Sequence, residues 1–122
     1  MAKKKILLIE DDKSLVKIIK ETLEPKDFDV ILAIDADEGI EKATLEKPDL
    51  IVLDVLLPGR NGFECLEELK SKKETKRTPV IILSNLCQVE EIRRGKELGA
   101  VDYAVKADFT IDQVIDKILA HL

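Results

Sequence analysis

Residues 50–59 read LIVLDVLLPG, and Asp54 is the one charged residue among them. The run LIVL has the length and character of a buried strand, with a loop signal, Pro-Gly, shortly after it. A carboxylate at the mouth of such a strand carries a desolvation cost unless something compensates it. Three roles would do so: a helix cap, a metal ligand or a nucleophile. The rest of the chain decides among them.

Working outward, short apolar runs alternate regularly with helical patterns. Strands are expected at 5–9 (KILLI), 28–33 (FDVILA), 50–53 (LIVL), 80–83 (VIIL) and 101–105 (VDYAV). Amphipathic stretches fall between them near 13–24, 36–47, 62–73, 88–98 and 110–121. In the first of these, Leu15, Ile19 and Leu23 share one face at a spacing of four. Asp35 with Glu38, and Thr110 with Gln113, have capping-box spacing, and Gly99 sits where a helix C-cap belongs. Five strand–helix units with strands this apolar predict a parallel sheet covered on both faces, a doubly wound α/β domain. Its ligand site should lie beyond the carboxyl ends of the strands.

Composition bounds the function. At 122 residues the chain is expected to be one domain, with no room for a separate output domain. It is 45% hydrophobic and 37% charged, the pattern of a soluble globular protein, and its 3% aromatic content makes the core aliphatic. A net charge of -5 argues against direct nucleic-acid binding, which wants a basic face. The two cysteines, Cys65 and Cys87, have no metal-like spacing and read as reduced thiols of a cytoplasmic protein. MAKKK (1–5) reads as a solvated basic terminus, and the ILLI after it is far too short for a signal or a membrane span.

The expected strand ends can be inspected in turn. The first ends in Glu10-Asp11-Asp12, the third in Asp54, the fourth in Ser84 and the fifth in Lys106. Each has a plain structural reading: Asp12 as a helix cap, Ser84 as a turn residue, Lys106 as a surface lysine. Together they deliver polar groups from four of five strands to one rim. Clustered carboxylates repel and force protonation unless a cation joins them, and a hard divalent ion such as Mg²⁺ suits them while still accepting phosphate oxygens. An aspartate beside Mg²⁺ can accept a phosphoryl group, with a lysine and a hydroxyl donating to the equatorial oxygens. Asp54 is therefore best read as the nucleophile.

These residues resemble the receiver domain of two-component response regulators, the chemotaxis-regulator fold. The likeness runs from ILLIEDD through DLIVLDVLLPGRNGFE and PVIILSN to GAVDYAVK, and the spacings 11 to 54, 54 to 84 and 84 to 106 match. The resemblance implies a flavodoxin-like sheet of order 2-1-3-4-5 with five helices. It implies that Asp54 takes its phosphoryl group from a sensor histidine kinase or a histidine phosphotransfer protein. It further implies that Asp11, Asp54 and the carbonyl of Leu56 ligate Mg²⁺, with Glu10 acting through a water. Lys106 and Ser84 would bind phosphoryl oxygens. Tyr103 would be the aromatic switch, turning inward as Ser84 moves and altering the face of the fourth helix, fifth strand and fifth helix for a downstream protein. A strand aromatic with its hydroxyl in solvent is the plainer reading of Tyr103. Such a chain is a signalling domain, catalysing only its own phosphorylation and dephosphorylation.

The pattern departs from the family at two places, Ala107 and Asn85. Ala107 follows Lys106 where the family usually has proline in a cis peptide. Asn85 follows Ser84 where a very small residue is preferred, so it either narrows access or contacts the phosphoryl group. Leu56 and Leu86 occupy rim positions at which neither can orient an attacking water, which predicts slow self-dephosphorylation. Two other classes fit worse. A haloacid-dehalogenase-type phosphatase needs a general acid where Leu56 stands, and a cobalamin-binding domain needs a histidine there; the only histidine, His121, is expected in solvent near the C-terminus. The remaining alternative is a pseudo-receiver, an interaction module not regulated by phosphorylation.

Overall fold

The computed structural model describes residues 3–122. Met1 and Ala2 of the basic terminus lie outside the described residues. Lys4 and Lys5 are not a loose tail, because they begin the first strand, and the Lys5 amine reaches the Glu46 carboxylate at 3.3 Å. The strands are β1 (Lys4–Ile9), β2 (Phe28–Ala33), β3 (Leu50–Leu53), β4 (Val80–Ser84) and β5 (Asp102–Val105). The helices are α1 (Lys13–Leu23), α2 (Ala36–Glu46), α3 (Gly62–Ser71), α4 (Val89–Glu97) and α5 (Ile111–Ala120). All four strand pairings are parallel, in the order β2-β1-β3-β4-β5. This is the flavodoxin-like order.

Sequence pattern and fold agree at the level of single side chains. Along β1, Ile6 and Leu8 point to one face with Ile19 and Leu23 of α1 and Ile115 and Ile118 of α5. Leu7 and Ile9 point to the other, against α2 and α3 through Ile40, Leu66 and Leu69. The period of two in the strands thus feeds two separate aliphatic layers, as a sheet covered on both sides requires. Leu15, the third member of the expected α1 stripe, is half-buried against the same layer as Ile19 and Leu23.

The helix ends follow local chemistry. Asp12 caps α1, accepting from the N–H groups of Ser14 and Leu15 at 3.1 and 3.2 Å. Pro25 has no N–H to continue the α-helical ladder, so α1 stops at Leu23 and a 3₁₀ turn over Glu24–Lys26 follows. Thr110 and Gln113 form the full reciprocal capping box. Asp35 accepts from Glu38 N–H, but the Glu38 carboxylate reaches one residue further back, to Ile34 N–H, so that box is displaced by one. After α4, Gly99 adopts φ +113°, with its N–H on Lys96 and that of Ala100 on Gly95, a Schellman closure that only glycine makes without strain.

At the amino end of β5, Asp102 accepts from Lys117 at 3.0 Å and lies 3.2 Å from His121 Nε2. His121 is therefore not a solvent residue: its side chain is 30% exposed and folded onto this acid. Burial opposes the charge on Asp102, but hydrogen bonds from Lys117, His121 and the Tyr103 N–H outweigh it and hold the carboxyl below its usual range. A depressed acid contributes stability above its unfolded pKa, and that contribution is lost as pH falls through the folded value. Asp102→Asn should therefore lower the melting temperature at neutral pH, with the gap closing below about pH 4. Thermal melts across pH would show this; a gap independent of pH would mean the ion cluster is not its source.

Candidate functional site

Strand order runs outward from β1 in both directions, so α1 and α3 leave on opposite faces and open a crevice at the carboxyl ends of β1 and β3. Glu10 directly follows β1 and Asp54 directly follows β3. The register pairs Ile9 with Leu53, which puts these two acids side by side. Both are buried, at 6% and 4% exposure, whereas Asp11 is exposed. The carboxylates of Glu10, Asp11 and Asp54 offer oxygens all within 4.8 Å of one another.

Lys106 completes the cluster. Its ammonium lies 2.7 Å from Glu10 Oε1 and 2.7 Å from Asp54 Oδ2, with 18% of its side chain exposed. Burial disfavours its charge, yet the hydrogen bonds to Asp54 and Glu10 prevail and its pKa is raised. One ammonium between two buried acids, with a third nearby, leaves the group short of positive charge. Glu10 registers this. Burial pushes its pKa up, the Lys106 hydrogen bond restrains it and the Asp54 charge raises it further, to about 7. An all-oxygen donor set with unbalanced negative charge is what a hard divalent cation binds, so the residues present fit Mg²⁺. The second Glu10 oxygen accepts from the N–H groups of Asp11 and Asp12, each at 3.1 Å, which fixes the acidic turn.

The loop after β3 is held from several sides. Asp54 Oδ1 accepts from Leu56 N–H at 2.8 Å, and Gly62 N–H donates to the Val55 carbonyl at 3.0 Å. Leu56 itself projects outward, half exposed. Asn61 caps α3 through Phe63 N–H at 2.7 Å. Arg60 reaches Asp37 on α2 at 2.7 Å and Glu68 on α3 at 2.8 Å, tying the loop to both helices. Sequence reasoning misses Arg60, whose one signal in the chain is a lone cation between two acid-bearing helices.

On the far side, Ser84 closes β4 and is fully buried, so it is a strand residue and not a turn residue. Its hydroxyl faces Leu86 N–H at 3.4 Å, and the Leu86 carbonyl accepts from Tyr103 O–H at 2.7 Å. The Tyr103 ring is 7% exposed and lies under α4, where a Cβ on Gly95 would come within 3.1 Å of it. The hydroxyl is thus engaged in protein and does not point to solvent. Burial, with the Glu91 and Asp54 charges behind it, lifts its pKa to about 12. Asn85 and Ala107 are exposed, and the Lys106–Ala107 peptide is trans. Lys106 reaches Asp54 all the same, within a 3₁₀ turn over Lys106–Asp108. The structure therefore gathers Glu10, Asp11, Asp54 and Lys106 in one cluster. Ser84, Leu86 and Tyr103 form a second, linked set; Leu56 joins the first through its N–H on Asp54 while its side chain projects outward, and Asn85 and Ala107 are exposed.

A family model described as the response regulator receiver domain matches residues 6–119. The alkaline phosphatase synthesis transcriptional regulatory protein PhoP of Bacillus subtilis is 42% identical over 103 residues, covering 84% of this chain and 42% of that protein. Response regulator ArlR of Staphylococcus saprophyticus is 36% identical over 118 residues, covering 97% and 52%. The chain thus spans about half the length of these relatives. Among solved structures, chemotaxis protein CheY4 of Vibrio cholerae superposes with a TM-score of 0.90 at 28% identity, covering 99% of this chain and 100% of that one. No helix among the described residues is long and apolar enough to cross a membrane.

Proposed function

Because this chain belongs to the response regulator receiver domain family, we propose that it takes a phosphoryl group onto Asp54 from the phosphohistidine of a sensor kinase or phosphotransfer protein. The observation that carries this is the Lys106 ammonium, 2.7 Å from both Glu10 and Asp54, within a three-carboxylate cluster at the sheet's switch point. An Asp54 carboxylate oxygen attacks phosphorus, the O–P bond forms, and the P–N bond breaks with its electron pair leaving on the donor's imidazole. Lys106, 2.7 Å from the Asp54 carboxylate, holds it in place and then donates to the phosphoryl oxygens. The Ser84 hydroxyl donates to another. Asp11, Asp54 and the Leu56 carbonyl would hold Mg²⁺, with Glu10 outside the direct ligands. When bound, the ion offsets the charge of the carboxylates and of the incoming phosphoryl group.

The readout follows from the second set of residues. Drawing the Ser84 hydroxyl toward a phosphoryl oxygen pulls on Leu86, whose carbonyl holds Tyr103 beneath α4. The face of α4, β5 and α5 is the surface that changes for a downstream protein. Leu56 offers no group to orient water, so the phosphoryl group should be lost slowly. Leu56→Asn is expected to shorten its lifetime severalfold, measured by intact mass after removal of the donor; an unchanged lifetime would count against a role for that rim position.

The direct test is incubation with acetyl phosphate, with Mg²⁺ or with a chelator, followed by intact mass. One phosphoryl adduct, formed only with Mg²⁺, is the expected result. No adduct, together with no binding of beryllofluoride, would overturn the reading and make the chain an interaction module not regulated by phosphorylation.

A further inference from the structure

The loop from Asp54 to α3 is tied by backbone only at its two ends, through Leu56 N–H on Asp54 at 2.8 Å and Gly62 N–H on the Val55 carbonyl at 3.0 Å. Between them little packing fixes its path. Pro58 and Gly59 are exposed, and nothing lies within 4 Å of where a Cβ on Gly59 would stand. Leu57 is partly buried against the core. Arg60 supplies the other anchor. Its Nη1 donates to Asp37 Oδ1 in the first turn of α2 at 2.7 Å, and its Nη2 to Glu68 Oε1 in α3 at 2.8 Å. Both are short, as charge-assisted hydrogen bonds are. The guanidinium fork is planar and rigid, so two acceptors on two helices fix where it sits.

Stability does not account for this clamp. The Asp37 and Glu68 side chains are 80% and 41% exposed, and ion pairs in such surroundings add little to a fold. What the clamp fixes is a backbone path. Leu56 stands four residues before Arg60, and its carbonyl is the one backbone oxygen among the groups that would hold Mg²⁺. A carboxylate can turn to meet an ion, whereas a carbonyl goes only where its chain goes. A loop that must be ordered when the ion binds gives up affinity, and a loop already held does not. The charge of Arg60 works in the opposite direction, because a cation near the site disfavours a second cation there. Resting on the reading of Asp54 as a Mg²⁺-assisted phosphoacceptor, we propose that Arg60 is a positioning residue. By bridging α2 and α3 it holds the loop that carries the Leu56 carbonyl, and so raises the affinity of the site for a divalent cation.

Mn²⁺ is the probe, with the free ion counted by electron paramagnetic resonance and Mg²⁺ as competitor. The variant is Arg60→Gln, which is neutral and cannot bridge the two acids. Charge and position then predict opposite signs. Loss of a nearby cation by itself would tighten Mn²⁺ binding. Loss of the clamp should weaken it about fivefold, less than losing a direct partner of a metal ligand brings. Arg60→Lys keeps the charge but not the fork, and should fall between the two. In labelling by acetyl phosphate, the Mg²⁺ concentration at half-maximal rate should move further than the rate at saturating Mg²⁺. Thermal melts should show both variants folded. Unchanged or tighter Mn²⁺ binding in Arg60→Gln overturns the proposal. So does a saturating rate that falls as far as the affinity, because the substitution would then have displaced Asp54 itself. Absence of Mn²⁺ binding by the unaltered chain overturns it as well. An unaltered chain that binds Mn²⁺ but is not labelled would instead defeat the acceptor reading, and the Mn²⁺ comparison would still decide the role of Arg60.

Discussion

Asp54→Asn is expected to abolish phosphoryl labelling by acetyl phosphate altogether while leaving the fold intact. The amide oxygen is no nucleophile at phosphorus, so the loss should be complete and not a matter of degree. The fold should survive for two reasons. The substituted amide still offers an oxygen to Leu56 N–H, which Asp54 holds at 2.8 Å, and Lys106 keeps Glu10 at 2.7 Å. Removing the Asp54 charge also removes one of the two influences that lift Glu10, so the Glu10 pKa should move down from about 7 toward its ordinary value. Intact mass reads the first expectation and carbon-detected NMR titration the second. If Asp54→Asn labels as well as the parent chain, the acceptor is another residue. Borohydride trapping of the acyl phosphate followed by peptide mapping would then show whether Glu10 or Asp11 carries it.

Gly62→Ala is expected to cost about 3 kcal/mol, lowering the melting temperature by roughly 10 °C, and to impair labelling as well. The reason is proximity. A Cβ on Gly62 would lie 2.3 Å from Val55 Cα and 2.8 Å from the Asp54 carbonyl oxygen. Those are backbone atoms of the segment that presents Asp54, and they cannot rotate away as a side chain could. Relief requires α3 to retreat or the end of β3 to shift, and either displaces Asp54. Gly59 in the same loop is the control. It has φ +80°, but nothing lies within 4 Å of where its Cβ would stand, so Gly59→Ala should cost only its backbone strain, about 1 kcal/mol. Thermal melts of the two variants separate a packing clash from a conformational one. Equal, small effects would show that the close approach of α3 to Val55 is not required.

Much of the molecule is legible in the linear chain. Runs such as FDVILA and LIVL are strands over the expected residues because their apolar continuity suits a sheet covered on both faces and little else. Boundaries that differ do so for local reasons, as where Pro25 cuts α1 short. The clustering of Glu10, Asp11, Asp54 and Lys106 is legible because the carboxyl ends of parallel strands share one edge, so reading the residue after each strand reads that rim. Departures concentrate on side chains whose partners are far away in sequence. The chain alone places His121 in solvent, whereas it lies on Asp102. For Tyr103 the linear pattern allows either a switch or a solvated hydroxyl, and only the fold brings that hydroxyl to the Leu86 carbonyl.

The division has a physical cause. Sequence alone determined the period of each element, its caps and the chemistry delivered to the strand ends, since these depend on neighbours within a few residues. Tertiary structure decided which charges are adjacent. Lys106 is 52 residues from Asp54 and still touches it, and Arg60 bridges α2 and α3. Neither follows from local propensity, because each needs the strand order and register that bring distant segments to one rim. The same packing sets the electrostatics: Glu10 is an ordinary acid in the chain, and only burial beside Asp54 carries it to about 7.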